Sequence, residues 1–155
     1  MRMLDGLRRT AAGLLLERPA RKVSFAQFAE RLEATGRAVE ERAMAAKDSE
    51  RTQKVLRHIS GIERWGQRRL LAFLGQAVPT DEYDDYRPAT TLTTAEQNAF
   101  FRTTRQQTVI LARQLEQANV PDTALVPHNE LGPLTARAWL YYLNMHASLE
   151  SKKII

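Results

Sequence analysis

Cysteine is absent from this chain of 155 residues. Its absence excludes a disulfide framework, a thiolate zinc site and a nucleophilic cysteine, so thiol chemistry would need a thiol brought by a cosubstrate. It also fits a reducing, cytoplasmic setting. Long apolar runs are missing too. The longest near the start, AAGLLL at 11–16, is too short for a transmembrane helix and short even for a signal peptide, so no membrane is expected. No aromatic residue interleaves the basic N-terminal residues Arg2, Arg8, Arg9, Arg18, Arg21 and Lys22, and no helix-turn-helix, zinc-finger or RNP pattern occurs. The net charge of +5, from 23 Lys and Arg against 18 Asp and Glu, therefore reads as a basic solvated surface. Nucleic acid is not an expected partner. Sustained two-residue alternation is lacking as well, and no strand is expected.

What is present is helical. The length suits one domain with a core that needs no disulfide or structural metal, and 43% hydrophobic with 26% charged residues is ordinary for a globular protein. A helix opens at Ser24, with Gln27 completing a capping box, and places Phe25, Phe28, Ala29, Leu32, Gly36, Val39 and Ala43 at helical spacing until it fades near Lys47–Ser49. A second runs from about Ser49 to Leu74 and stops at Gly75. A loop over 76–92 follows, whose acidic run DEYDD (81–85) lacks calcium-loop spacing and reads as a solvated connection. A third helix starts at Thr93 or Thr94, with Glu96 or Gln97 at the capping-box position, and ends near Asn119. After a second loop over 120–132, a fourth opens with Pro133 at its first position and reaches about Ile154. The expectation is an all-α, antiparallel four-helix bundle over 23–155, with long second-to-third and third-to-fourth connections. Residues 1–22 form an N-terminal extension whose leucines suit a short extra helix.

Histidine is scarce, with three in the chain, and each invites a question. At about 100° per residue, Trp139, Tyr142, Leu143 and Leu149 all fall within about 60° of His146, which puts this histidine at the centre of an apolar face. Glu150, one turn on, shares that face, where an unpaired carboxylate is costly to bury. On the second helix His58 lies at the flank of the core stripe beside Trp65, while Arg57, Arg64 and Arg68 fall on the far side, toward water. In a simple up-down bundle the second and fourth helices run the same way. His58 lies nine residues past Ser49 and His146 thirteen past Pro133, so their depths differ by about 6 Å, roughly one turn. A His, His, Glu set with open coordination positions would suit zinc or nickel; the bland alternative is a pair of satisfied core or flank histidines. His128, in the loop HNELGP, reads as a surface loop histidine or else as a substitute ligand or proton donor. Arg105, at the edge of the third helix's apolar stripe, reads as a solvated arginine, a partner of Glu150 or a hold for an anionic substrate.

The segments VLRHISGIERWGQRRL, FFRTTRQQTVILARQL and LGPLTARAWLYYLNMHASLESKKI resemble the DinB/YfiT-like family of small helical-bundle proteins, over about residues 24–155. The resemblance implies a divalent metal, zinc or nickel, held by a histidine of the second helix and an H-x3-H pair of the fourth. His58 matches the first. The pair's H-x3-H-x2-Q-I frame matches His146-x3-Glu150-x2-Lys153-Ile154, with Glu150 standing where the family has histidine; a frame one turn earlier would use Tyr142 and His146. The departure leaves two meanings open, a two-histidine, one-carboxylate site or a site that has lost its metal. By resemblance the protein would be a metal-dependent transferase or hydrolase acting on a small electrophilic molecule, with a low-molecular-weight thiol as cosubstrate. The other reading is a non-catalytic, stress-associated bundle without metal that acts through dimerisation. A homodimer is implied either way, with the N-terminal segment as one source of an interface.

Overall fold

The structure is a computed structural model that describes residues 2–155; the side chains of Arg2, Leu4, Asp5, Arg8, Arg9, Thr10 and Ala12 lie outside that description. Leu4 and three arginines of the N-terminal basic patch are among them. The described chain is mostly helical, with helices α1 (Arg2–Ala20), α2 (Phe25–Ala45), α3 (Glu50–Ala72), α4 (Thr94–Gln117) and α5 (Ala136–Ser151), and one small antiparallel hairpin of β1 (Val126–His128) and β2 (Gly132–Leu134).

Local chemistry sets most helix ends. Ser24 and Gln27 form the expected reciprocal box, the Ser24 hydroxyl accepting from the Gln27 N–H at 3.1 Å and the Gln27 amide oxygen from the Ser24 N–H at 2.9 Å. Thr93 and Glu96 repeat it at the start of α4. At the far end of α3, Gly75 turns at φ +100° and the Gln76 N–H returns to the Leu71 carbonyl at 3.2 Å. Asn119 does the same for α4 at φ +50°, with Val120 N–H bonding Leu115 O.

Three expectations fail here. Pro133 is not in a helix: it lies in β2, directly opposite Pro127 of β1. Neither proline has an N–H to give, yet a three-residue strand tolerates the loss at its centre. Such strands are also too short to show alternation, which is why the hairpin escapes a periodicity reading. The last helix therefore begins at Ala136, capped by Thr135, whose hydroxyl accepts from the Ala138 N–H at 3.1 Å, and it ends at Ser151 rather than Ile154. The N-terminal helix, in turn, is long rather than short, with 19 residues.

Side-chain pairings give the helix directions. Along α2 and α4, Glu33 meets Arg113 and Glu40 meets Arg102, so these two are antiparallel. Along α3 and α4, Glu63 meets Arg105 and Gln67 meets Thr108, so these are parallel. Along α3 and α5, Thr52 reaches Ile155, His58 meets His146 and Trp65 meets Trp139, so these are antiparallel. The expected shared direction of the helices bearing His58 and His146 is thus wrong.

The reason lies in the connection over 73–93. It does not turn straight into an antiparallel neighbour but returns along α3, pinned in sequence by its arginines. Arg69 holds Asp81 at 2.7 Å, Arg64 donates to Tyr86 O at 2.8 Å, and Arg57 donates to Pro88 O at 2.8 Å. Arg57 and Arg64 are half-buried by this, not turned to water. The acidic run is likewise no free connection. The Asp81 carboxylate also accepts from the Tyr86 hydroxyl, and its carbonyl accepts from Trp65 Nε1 at 3.1 Å. α4 then starts beside the start of α3, where Asp48 accepts from both the N–H and the hydroxyl of Thr94, at 3.1 and 2.7 Å.

The larger core cluster joins α1 to α5 through Phe28, Leu32, Trp65, Leu111, Leu115, Trp139 and Leu143, and a smaller one surrounds Val39, Leu56, Ile59, Phe101 and Ala147. Between α3 and α5 the approach is close: a Cβ on Gly66 would meet Leu143 at 2.5 Å. α1 joins through its last turns, where Leu16 and Ala20 are buried.

Candidate metal centre

His58 occupies the third turn of α3, with its neighbours Leu56 and Ile59 fully buried and its own ring half-buried. His146 stands across from it on α5. The buried stripe of α5 runs through Ala136, Trp139, Leu140, Leu143, Ala147 and Ser151, so His146 lies beside it rather than at its centre. Leu149, which had widened the expected apolar face, is 51% exposed. Because α3 and α5 run in opposite directions, the two imidazoles meet at the same level, Nε2 to Nε2 at 3.1 Å. The rings are tilted by 60° with centroids 5.0 Å apart. Only one proton fits between two facing nitrogens, so in this contact one Nε2 donates and the other accepts.

Glu150 follows His146 by one turn. Donor atoms of His58, His146 and Glu150 all lie within 4.8 Å of one another. Burial lowers both histidines, His146 to about 4 with the neighbouring His58 as a second cause, while Glu150 partly offsets the effect on His58. Both are therefore neutral at pH 7, with lone pairs available. The Glu150 carboxylate is pushed up by burial but held below its ordinary value by the Lys153 ammonium, which touches both oxygens at 2.9 and 2.8 Å, and by the two histidines.

The donor chemistry fits a divalent metal. Two ligands at about 2.0–2.1 Å from a tetrahedral zinc are about 3.3 Å apart, close to the histidine pair's separation. The carboxylate supplies a third donor of a type such ions accept once Lys153 lets it go.

The other candidate residues fall elsewhere or at the rim. Tyr142 lies one turn before His146, its ring 5.9 Å from that histidine, and burial with nearby Glu130 pushes its hydroxyl up to about 12. His128 is no surface residue. It is 6% exposed, stacked on Trp139 at 5.1 Å and edge-on to Trp65 and Tyr142. Its Nδ1 accepts from the backbone N–H groups of Glu130 and Leu131 at 3.1 and 3.2 Å, and burial brings it down to about 4. It holds the hairpin turn.

Arg105 is buried in the core, not solvated, and it does not meet Glu150. Its Nε lies 2.7 Å from Glu63, its Nη2 donates to the same carboxylate at 2.8 Å, and its Nη1 donates to Asn144 at 3.0 Å. Sequence reading missed Glu63, whose position on the buried face of α3 was the available signal. It also missed Lys153 as a neighbour of the site, although the i,i+3 spacing from Glu150 gives a direct hint.

Compared with family models, curated proteins and solved structures, the chain matches none. No helix among the described residues is long and apolar enough to cross a membrane.

Proposed function

We propose that this chain is a divalent-metal protein of DinB-like type, with His58, His146 and Glu150 as its ligands and a small electrophilic molecule as its substrate. The observation that carries the reading is the convergence of the three donors from two antiparallel helices, with two neutral imidazoles at the spacing of adjacent tetrahedral ligands. Zinc or nickel suits the imidazole and carboxylate set. Once bound, the metal supplies Lewis acidity to a thiol or a water used as nucleophile. The chain's own part is to hold the donors at fixed height through α3 and α5 and to keep both imidazoles neutral by burial. The transferase or hydrolase assignment, the thiol cosubstrate and a homodimer rest on the resemblance of the three segments alone.

The test is zinc and nickel analysis of protein purified without a histidine tag. About one metal per chain is expected in the wild type and far less in His58→Ala and His146→Ala. A wild type with only traces of metal, unchanged by either substitution, overturns the reading.

One observation favours the metal-free alternative: Glu150 already has a cation, Lys153, on both oxygens. In that reading the carboxylate is satisfied as it stands, and the facing histidines share a proton as an ordinary hydrogen bond. Glu150→Gln then changes neither metal content nor stability, whereas under the metal reading it lowers metal content.

A further inference from the structure

Beside the histidine pair an open groove of about 640 Å³ runs along the first three turns of α3, lined by Glu50, Arg51, Lys54, Val55 and His58, by Glu150 of α5 and by Lys153 just beyond that helix. Its placement follows from the helix repeat. Counted back from His58 at about 100° per residue, Arg51 falls within about 20° and Lys54 within about 40° of the same face. At 1.5 Å per residue their backbone positions lie about 10 and 6 Å along the axis from that of His58. Val55, between Lys54 and His58 in height, gives the groove an apolar floor.

The charges are unequal in their commitments. Lys153 is taken by Glu150. Arg102, Arg113 and Arg137, elsewhere on the surface, are each paired with a carboxylate. Arg51 and Lys54 show no ion pair or hydrogen bond to any described residue, and Glu50 is the one uncommitted carboxylate on the groove wall. Two free cations thus stand in line with the candidate centre, at one and two helical turns from it.

We infer that this groove is the substrate's seat and that it selects a small molecule bearing an anionic group, a carboxylate or phosphate, roughly 6–10 Å from its reacting atom. The inference rests on the metal reading for where the reacting atom sits. Arg51 and Lys54 receive the anionic end, Arg51 being able to do so with two parallel N–H donors. Val55 packs against the spacer. When Glu150 binds metal, Lys153 loses its partner and becomes a third cation at the near end of the groove.

The probe is the monohydroxamic acid of suberic acid, metal-seeking at one end and a carboxylate at the other, set against its methyl ester. The succinic analogue, too short to reach Lys54 and Arg51, is the length control. Calorimetry on zinc-loaded protein is expected to show the acid binding at least tenfold more tightly than the ester. That preference falls to within twofold in Arg51→Ala/Lys54→Ala, with metal content unchanged, and is absent for the succinic pair.

Acid and ester binding alike, or a preference that survives the double substitution, overturns the inference. The same pairs are followed on metal-free protein by chemical-shift changes at Val55 and along the first turns of α3. There, shifts caused by the acid alone and lost in the double variant support the groove, and their absence counts against it. A protein that takes no metal but keeps the acid-specific shifts overturns the metal reading and leaves the anion seat standing. A protein that takes metal but shows no acid preference does the reverse.

Discussion

Lys153 places its ammonium on both oxygens of Glu150, three residues before it, and so occupies the carboxylate that would complete the donor set. A metal and this ammonium compete for the same lone pairs. The pair is partly exposed, with the lysine side chain at 59%, so the competition is modest, about 1 kcal/mol. Lys153→Ala should therefore tighten zinc binding about fivefold, and Glu150→Gln should weaken it at least tenfold. Competition against a chelating indicator at low salt reads both. Weaker binding in Lys153→Ala would count against Glu150 as a ligand.

His128 makes stability depend on pH. Its folded pKa, about 4, lies below the unfolded value of about 6.5, so between these values the unfolded chain binds more protons than the folded one. The stability held by neutral His128 is complete above about pH 6.5 and is lost progressively as pH falls toward 4. The difference corresponds to about 3 kcal/mol. In urea unfolding, His128→Asn should flatten this part of the profile, since the amide oxygen can still accept from the Glu130 and Leu131 N–H groups but does not titrate. A profile identical to the wild type between pH 6.5 and 4.5 would exclude His128 as the cause.

The buried pair of Arg105 and Glu63 joins α4 to α3, and its bond to Asn144 extends the link to α5. Glu63→Gln leaves a buried guanidinium uncompensated and should cost about 3–5 kcal/mol in unfolding free energy. Arg105→Met combined with Glu63→Leu removes both charges and should cost much less than the sum of the two single changes. Additive costs in a double-mutant cycle would show that the pair does not act as a unit.

Glu17 ties α1 to the rest. Its carboxylate accepts from the N–H and the hydroxyl of Thr135, both at 2.9 Å. It thereby fills the place that a glutamate at the third position of α5 would take in a capping box, a position occupied by Ala138. Glu17→Ala should destabilise by about 1–3 kcal/mol and should raise hydrogen exchange in α1 and at the start of α5 while leaving α3 and α4 protected. Uniform loss of protection across all helices would mean that α1 is not a separable layer.

Much of the helical content was legible because its causes are local. Ser24 with Gln27, Thr93 with Glu96, and Gly75 are read from three or four neighbouring residues, and apolar spacing marks the stripe of α2. The start of α5 was not legible in the same way. Pro133 suits a first helical turn as well as a short strand, and the choice was made by pairing across the hairpin with Pro127. His58, His146 and Glu150 stood out as candidates from scarcity, spacing and resemblance. Arg105 did not read correctly, since periodicity puts it at an edge and only a partner on another helix, Glu63, makes its burial affordable.

By itself, then, the sequence determined where helices can form, that no cysteine chemistry is available, and which histidines share a helix face with which carboxylate. These depend on contacts within one or two turns. Tertiary structure decided which helices run side by side and in which direction. The loop over 73–93, tied to Arg69, Arg64 and Arg57, carries the chain back along α3. That return sets α3 antiparallel to α5, brings His58 level with His146, and leaves Arg51 and Lys54 along the same groove. Such contacts join residues far apart in the chain, and no local pattern encodes them.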